Sequence, residues 1–555
     1  MMPSAIGWEA IASRHRNEQQ QAIPRDWIIP HSKLKELNGT GTANEGRLIT
    51  LEAARKSALL TEKELEITEN YNARELLDKI HTGKLSSEEV TVAFCKRAAL
   101  AQQLTSCLTE IFFDEGIARA RELDQHLKAT GKPVGPLHGL PISLKDSYSV
   151  KGHYATAGYV EFLKRPPSTT NSALVELLSD AGAVFFCKTN VPQTMMTADS
   201  ENNIFGRTLN PRKTSLTAGG STGGEGALVA FRGSVLGMGS DIAGSVRIPS
   251  LCCGVYGFKP TADRIPYGGE VCHPFPKPHL PGISPALGPI AHSVDDLTLL
   301  METTLAQRPW EYDASAINTP WRTLDDAKKT FTVGVLPEDP NYPLHPPVRR
   351  ALDEAVSLLE AAGHTIIRLP VDPSCGASLG GKLGFTYYGL ISSDLDALES
   401  EIGEPLVASV RANVHPFGKD GPLVSPKLDT AQRLSEFLKL RDGYADSWRK
   451  TWLEYKLDVV LGPGAISTAV PHDTYGVPVY TVMWNVLDYP AGIIPYGFAS
   501  KDKDPQYQKA TAQFDADYDP DALDGAPCAI QVVTPRFRDE ECLQAMRIID
   551  RDIRR

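Results

Sequence analysis

The sequence has little positive charge with which to bind an acidic partner. Its 555 residues include 57 Lys and Arg against 68 Asp and Glu, which gives a formal net charge of −11. The lysines and arginines occur as scattered pairs and form no long run. Nucleic acids and anionic membrane surfaces are bound through concentrated basic patches. The composition therefore argues against both kinds of partner.

Signals for secretion and for membrane insertion are also missing. The first residues contain no apolar segment of the kind that a signal peptide needs. The apolar stretch 480–499 is interrupted by Asp488, Pro490 and Pro495, so it would not span a bilayer. The nine cysteines show no CxxC spacing. We expect a cytoplasmic protein with no disulfide framework and no metal site.

The phosphate-binding loops of nucleotide-dependent proteins are absent as well. A Walker A loop requires Lys and then Ser or Thr after its last glycine, whereas Glu225 follows Gly224 here. A dinucleotide fingerprint has the spacing GxGxxG, and Ile242 occupies the position of its third glycine. We therefore expect no nucleotide and no other cofactor.

What the sequence does contain is an unusual concentration of glycine. Nine of its 45 glycines fall within residues 219–248, in two serine-bearing loops around Ser221 and Ser245. A flexible linker would be polar throughout, but the apolar segments 227–230 and 235–236 lie between these loops. The pattern predicts tight turns that bracket buried elements, an arrangement that suits an active site.

Apolar runs of strand length alternate with helical patterns along the rest of the chain. A capping box at residues 86–89 predicts a helix that continues to Leu104. The predicted strands are 108–113, 140–145, 183–187, 331–336, 365–369, 457–461 and 529–533. The other predicted helices are 115–127, 172–181, 348–362 and a last helix from 539. This order predicts a single α/β/α sandwich around a mixed, mostly parallel sheet. We expect residues 1–75 to form a helical arm on a catalytic domain of residues 76–555.

One motif suggests a different hydrolase. Residues 219–223 match GxSxG, the nucleophile elbow of α/β-hydrolases, which needs a strand directly before the serine and a catalytic histidine downstream. Residues 211–218 are polar, and the surroundings of the nominal histidine, His472, are not typical of a catalytic triad. We favour an interpretation without histidine.

Five segments together resemble the amidase signature family, which includes fungal acetamidases and fatty acid amide hydrolase. They are PLHGLPISLKD (136–146), KTNVPQ (188–193), GGSTGGEGA (219–227), GSDIAGSVRIPS (239–250) and GVYGFKPT (254–261). The resemblance extends over roughly residues 60–550 and includes Glu225, which is typical of the acetamidase branch. It implies the amidase signature fold.

The resemblance implies a Ser–cis-Ser–Lys triad of Ser245, Ser221 and Lys145, with a cis peptide bond before Ser221. A serine hydroxyl is a weak nucleophile until a base removes its proton. Lysine is a base only when neutral, and burial can lower its pKa by about 3–5 units from about 10.4. Lys145 ends the apolar run 140–144, which suits burial. In this triad Ser245 attacks, and Ser221 relays its proton to Lys145.

The same motifs imply the remaining site residues. The backbone N–H groups of Ile242, Ala243, Gly244 and Ser245 are expected to form an oxyanion hole. Where Ala243 stands the family usually has glycine; a positive φ there would strain Ala243, and otherwise its methyl group narrows the acyl side. Thr222, Asp241 and Arg247 are expected to support the loops, with Arg247 paired to an acid such as Asp241. The residues expected to line the substrate pocket are Met195, Met196, Gly219, Gly220 and Trp484.

The resemblance implies a serine amidohydrolase that works through an acyl-enzyme, with an acetamidase-like preference for small primary amides. Carbamate (urethane) or anilide hydrolysis on the same triad is the alternative. An A-type amidotransferase subunit of aminoacyl-tRNA synthesis is a second class, against which Glu225, the arm and the acidic surface argue. A catalytically inactive binding protein is a third. The expected partner is a small amide or carbamate, and the family commonly forms homodimers.

Overall fold

A computed structural model describes residues 7–271, 281–325, 328–391, 403–411, 417, 421–511 and 515–555. Within these residues eleven strands form one sheet, and two short strands form a separate hairpin. In the sheet these are β1 (Leu108–Ile111), β2 (Pro141–Lys145), β3 (Val184–Thr189), β6 (Leu236–Asp241), β7 (Tyr256–Lys259), β8 (Ala286–Ala291), β9 (Thr332–Val335), β10 (Thr365–Arg368), β11 (Val459–Pro463), β12 (Ala491–Phe498) and β13 (Pro527–Val533). The hairpin comprises β4 (Glu201–Asn202) and β5 (Gly206–Arg207).

The sheet is mixed, as expected, but it is not mostly parallel. Its strand order is β1-β3-β2-β6-β8-β7-β12-β13-β11-β9-β10. Among the described strands, six of the ten neighbouring pairs run antiparallel, and four run parallel. The prediction rested on strands that alternate with helical patterns, and a helix that connects two neighbouring strands usually makes them parallel. The pairs β7–β8 and β12–β13 are instead consecutive in the chain, adjacent in the sheet and antiparallel.

Helices flank this sheet, which confirms the expected sandwich class. They are α1 (Trp8–Gln21), α2 (His31–Leu37), α3 (Ala53–Lys56), α4 (Glu62–Asn70), α5 (Ala73–His81), α6 (Ser87–Thr105), α7 (Phe113–Thr130), α8 (Ala173–Asp180), α9 (Gly223–Ala230), α10 (Arg247–Cys253), α11 (Val294–Ala306), α12 (Pro346–Ala361), α13 (Ala377–Ile391), α14 (Ala408–Arg411), α15 (Thr430–Glu454), α16 (Val479–Val486), α17 (Pro520–Leu523) and α18 (Asp539–Ile553). The predicted capping box opens α6, where Ser86 and Glu89 bond reciprocally. In the described part of the chain no helix is long and apolar enough to cross a membrane.

The N-terminal segment is helical and packs on the body of the protein. The side-chain amide of Gln19 in α1 donates to the carbonyl oxygens of Leu108 and Thr109, at distances of 2.7 and 3.0 Å. Buried residues of this segment, such as Leu37 and Leu48, belong to the same hydrophobic cluster as the central strands. The helical arm is therefore attached along the edge strand β1; its boundary at residue 75 stays a prediction.

The glycine-rich loops lie at one edge of the sheet. β2 and β6 are neighbouring parallel strands, with Leu144 opposite Met238. The carboxyl ends of parallel strands meet at the same edge, where α/β proteins commonly bind ligands. Lys145 ends β2 and Asp241 ends β6. This topology brings the predicted base next to the loop that contains Ser245.

Candidate active site

Lys145 is completely buried at the end of β2. Its Nζ lies 2.7 Å from the Oγ of Ser221 and 2.9 Å from the Oγ of Ser240. The structure thus joins two of the three predicted triad residues by a direct hydrogen bond. Ser240 was not predicted, although it lies in the family-like segment 239–250, next to Asp241 at the end of β6.

The loop of Ser221 follows a tightly constrained path. The peptide bond between Gly220 and Ser221 is cis. A Cβ atom on Gly220 would lie 2.2 Å from the carbonyl oxygen of Thr197, so only glycine fits at this close approach. The hydroxyl group of Ser200 donates to the carbonyl oxygen of Gly219 at 2.9 Å. The neighbouring backbone therefore fixes the direction in which Ser221 leaves the loop.

The loop of Ser245 connects β6 to α10 and contacts the first loop. The backbone N–H of Thr222 donates to the carbonyl oxygen of Ser245 at 3.2 Å. The Thr222 hydroxyl lies 3.4 Å from the carbonyl oxygen of Ser240, to which it donates. Through Thr222 the two glycine-rich loops are held against each other, with Ser245 buried at their junction.

The predicted oxyanion hole needs a correction at Gly244. Its backbone N–H donates to the Oδ1 of Asp241 at 2.8 Å, toward the protein interior. A donor used in this way does not point at a substrate, so the proposed hole is reduced to the N–H groups of Ile242, Ala243 and Ser245. Gly244 itself has a φ of +122°, a conformation that strongly favours glycine.

Ala243 does not carry the strain that was considered for it. It is not among the described non-glycine residues with positive φ. Of the two alternatives, the one that requires strain is therefore wrong. The methyl group of Ala243 adds bulk beside the proposed hole where the family usually has glycine.

A buried ion pair supports the loop of Ser245 from behind. Asp241 and Arg247 are both fully buried, and the guanidinium group donates to the carboxylate at 2.9 and 3.0 Å. Asn485 donates to the same carboxylate at 2.9 Å. Burial by itself would raise the pKa of Asp241, but the charge and hydrogen bonds of Arg247 hold it well below its usual range. Asp241 is therefore an ionised carboxylate, and it accepts the hydrogen bond from the Gly244 N–H.

A second buried carboxyl group lies behind the loop of Ser221. Glu225 is fully buried in α9, and it accepts hydrogen bonds from the hydroxyl groups of Ser143 on β2 and Thr189 on β3. Burial raises its pKa to about 7, and the two hydroxyl groups oppose this only in part. Ser143 lies two residues before Lys145. Glu225 thus ties the helix that follows Ser221 to the strand that ends in Lys145.

The predicted pocket residues lie in different surroundings. Met195 is buried and Met196 is partly buried, in a short turn where Thr194 and Met195 both have positive φ. Trp484 is completely buried, and its ring packs against those of Trp448 and Tyr489. Packing accounts for Trp484, and the predicted contacts of these residues with substrate stay predictions.

The alternative based on a nucleophile elbow finds no support in the geometry. Residues 211–218, all of them described, form turns and isolated bridges instead of a strand. The two ring nitrogens of His472 lie 3.2 Å from Asp199 Oδ1 and 3.1 Å from the carbonyl oxygen of Thr214. Both ring nitrogens are thus hydrogen-bonded to groups other than Ser221.

Comparisons with known proteins agree with this geometry. Residues 89–543 match the Amidase family. The chain is 40% identical over 546 residues to a protein named Amidase from Gibberella moniliformis, covering 98% of each chain. It is 37% identical over 560 residues to an Acetamidase from Emericella nidulans, covering 97% of this chain and 96% of that one. Among solved structures, a fatty acid amide hydrolase superposes with a TM-score of 0.88 at 32% identity, covering 98% of this chain and 95% of that one.

Proposed function

Because the chain belongs to the amidase family and is a hydrolase of amide bonds, we propose that it is a serine amidohydrolase with Ser245, Ser221 and Lys145 as its triad. The observation that carries the proposal is the buried hydrogen bond between Lys145 Nζ and Ser221 Oγ, 2.7 Å long. A buried amine in contact with a hydroxyl group is an arrangement that can pass a proton. The loop of Ser245, held against Ser221 through Thr222, supplies the nucleophile.

In the proposed reaction, the substrate carbonyl oxygen lies under the N–H groups of Ile242, Ala243 and Ser245. Ser245 Oγ attacks the carbonyl carbon, and its proton passes through Ser221 to neutral Lys145. The resulting ammonium returns the proton through Ser221 to the leaving nitrogen, and the C–N bond breaks. A water molecule then attacks the acyl-enzyme through the same relay, and it releases the acid and restores Ser245.

The buried residues around the triad suit this chemistry because they hold the proposed reacting groups without placing an unpaired charge beside them. The negative charge of Asp241 is balanced by the positive charge of Arg247, 2.9 Å away, so the pair exerts little net electrostatic effect on the loop. Ser221 and Ser240 present hydroxyl groups to Lys145, and a hydroxyl group binds an amine in either protonation state. A preorganised environment of this kind lowers the barrier without reorganising during the reaction.

For the substrate we propose a small primary amide that is cleaved to a carboxylic acid and ammonia. Support comes from the full-length similarity to the Emericella nidulans Acetamidase. The added methyl group of Ala243 is consistent with a compact acyl group. A carbamate or an anilide is the alternative, because the same triad would cleave either one.

The experiment is a screen of the purified chain against aliphatic amides, aryl amides, anilides and carbamates, with release of ammonia and of amine measured separately. A serine-directed phosphonate or sulfonyl fluoride is expected to label Ser245, and Ser245→Ala is expected to lose at least about 10⁴-fold in activity. Labelling of Ser221 in place of Ser245 would contradict the assignment. Activity of the chain alone would separate it from a subunit that works only in an amidotransferase complex.

A homodimer and a cytoplasmic location complete the proposal. Support for the first comes from the family resemblance, and support for the second comes from cysteines that show no CxxC spacing. Light scattering during size-exclusion chromatography measures the mass of the particle directly; a mass near that of two 60.4 kDa chains is expected. A monomeric mass would contradict the homodimer.

A further inference from the structure

The three peptide groups that follow Ile242 are each held by a different donor. The hydroxyl group of Tyr388 donates to the carbonyl oxygen of Ile242 at 2.5 Å. The hydroxyl group of Thr481 donates to the carbonyl oxygen of Ala243 at 2.7 Å. The carbonyl oxygen of Gly244 accepts from the backbone N–H of Ile248 at 2.6 Å, at the start of α10. The loop is therefore fixed one peptide group at a time.

In a trans peptide group the C=O and the following N–H point in opposite directions. Holding the Ile242 carbonyl oxygen therefore also aims the N–H of Ala243, which belongs to the same peptide plane. Holding the Ala243 carbonyl oxygen likewise aims the N–H of Gly244, but that N–H is directed at Asp241. Of these two hydroxyl groups, Tyr388 alone controls an N–H of the proposed oxyanion hole.

We propose that Tyr388 is a positioning residue that aims the Ala243 N–H at the carbonyl oxygen of the substrate. This inference deepens the proposed function and rests on it, because the oxyanion hole is part of that proposal. Tyr388 reaches the loop from α13, 146 residues away in sequence. No sequence motif connects it to the glycine-rich loops.

The phenol group is suited to this role because it is buried and remains a donor. Tyr388 is 4% exposed. Burial, with the nearby charge of Asp241, raises its pKa well above the ordinary value. The hydroxyl group therefore keeps its proton throughout the pH range in which the enzyme is expected to work.

Helix α13 is itself fixed in place. Cβ atoms built on Gly380, Gly381 and Gly384 would lie 2.6, 2.6 and 2.2 Å from side chains of α16. This close packing leaves α13 no room to approach α16 further. Because α16 also carries Thr481 and Asn485, the two helices form one rigid support behind the loop.

The test is Tyr388→Phe, which removes one oxygen and keeps the ring. We expect kcat to fall roughly tenfold, less than the 10²–10³-fold loss that follows removal of a whole oxyanion donor. KM should stay within about twofold, because the bond acts mainly on the transition state. Affinity for a boronic acid or trifluoromethyl ketone, which forms a tetrahedral adduct on serine, should fall in proportion to kcat. Affinity for an unreactive substrate analogue should not change.

Tyr444→Phe is the matched control. This buried tyrosine also donates to a backbone carbonyl oxygen, but its acceptors are Cys375 and Gly376, at 3.4 and 3.2 Å, and not the loop of Ser245. We expect its kcat and its adduct affinity to stay within about twofold of wild type. Thermal unfolding of both variants shows whether a loss of activity comes from a loss of stability or from a misoriented Ala243 N–H.

The outcomes separate this inference from the proposed function. Unchanged kcat and adduct affinity in Tyr388→Phe, in an enzyme whose Ser245 is labelled, would overturn the role of Tyr388 alone. Equal losses in both tyrosine variants would also overturn it, because they would indicate general destabilisation. A wild-type chain that neither hydrolyses amides nor is labelled at Ser245 would instead contradict the proposed function.

Discussion

The two glycine-rich loops are each supported by a buried carboxyl group, and the pKa values of the two groups are shifted in opposite directions. Asp241, behind the loop of Ser245, is paired with the buried guanidinium of Arg247 and stays ionised. Glu225, behind the loop of Ser221, accepts hydrogen bonds from two hydroxyl groups, and its pKa is raised to about 7. Both residues are fully buried, so burial does not explain the difference. The difference in pKa comes from the nearest partners, which are a cation for Asp241 and two neutral hydroxyl groups for Glu225.

This difference corresponds to the work of each loop. In the proposed mechanism the loop of Ser245 holds several backbone N–H groups in fixed directions. An ionised carboxylate paired with a cation is a strong anchor for such groups. The loop of Ser221 lies against Lys145, which as the proposed base has to be neutral during part of the cycle. A permanent negative charge behind it would favour the ammonium form of Lys145. A carboxyl group whose pKa is raised to about 7 is ionised to a smaller extent at neutral pH than an ordinary one, which weakens this effect.

The largest stability effect is expected from Asp241→Asn. It leaves the guanidinium of Arg247 buried without its charge partner, which typically costs about 3–5 kcal/mol. Because the pKa of Asp241 is lowered, its contribution is present above the unfolded value and is lost only as pH falls through the folded one. Urea unfolding should therefore show the same loss at pH 5 and at pH 8. Exposed Asp502→Asn is the control, and a loss below about 1 kcal/mol in Asp241→Asn would contradict the anchor.

A smaller, pH-dependent effect is expected from Glu225→Gln. With a raised pKa, the folded protein keeps the proton of Glu225 while the unfolded chain loses it, so wild-type stability falls as pH rises from about 4.5 to about 7. The linkage amounts to roughly 3 kcal/mol over this window. The glutamine variant, which cannot ionise, should be close to wild type at pH 4.5 and relatively more stable at pH 8. Glu436→Gln, at an exposed position, is the control, and its stability difference from wild type should not change with pH. A difference for Glu225→Gln that also does not change with pH would contradict the raised pKa of Glu225.

The smallest effect is expected from His472→Gln. His472 bonds to Asp199, which accepts from the hydroxyl group of Thr217, and that hydroxyl group accepts from the backbone N–H of Gly219. Burial lowers the pKa of His472, but the hydrogen bond and charge of Asp199 raise it above the ordinary value. Its stabilisation is therefore present at pH 6 and is lost as pH rises through the folded pKa. We expect a loss of about 1 kcal/mol at pH 6 and a smaller one at pH 9. Exposed His31→Gln is the control, and a larger loss at pH 9 than at pH 6 would contradict this account.

Local patterns in the sequence predicted much of the framework. The capping box at Ser86, the strand that ends at Lys145 and the two serine-bearing turns depend on neighbours within a few residues, and the structure contains all three. Strand direction was predicted less well, because adjacent strands such as β6 and β8 come from distant segments and run antiparallel. The long helices α13 and α15 were missed. For α15 the local signals were present, namely a capping box of Asp429 and Gln432 and buried aromatic residues at helical spacing from Phe437 to Trp452. For α13 the glycines that pack against α16 gave no comparable signal.

The parts of the site that sequence reasoning missed are contacts over long distances in the chain. Ser240 meets Lys145 across 95 residues, and Tyr388 meets Ile242 across 146. The inward turn of the Gly244 amide toward Asp241 spans only three residues, yet it depends on a peptide orientation that a sequence pattern does not specify. Motifs identified the proposed reacting groups and the pairing of Arg247 with Asp241, and the fold revealed the other contacts that hold them.

The central claim is that Lys145, through Ser221, is the base for Ser245, and the kcat/KM of Lys145→Ala tests it most directly. We expect a loss of about 10²–10⁴-fold in a variant that is still folded, because a positioned base typically contributes that much. Wild-type kcat/KM should rise with pH to a plateau, since only a neutral amine accepts a proton. Ser240→Ala, which removes the second hydroxyl partner of Lys145 and keeps the amine, should lose less. If Lys145→Ala hydrolyses amides within about threefold of wild type, far less than a base supplies, the relay through Ser221 is wrong.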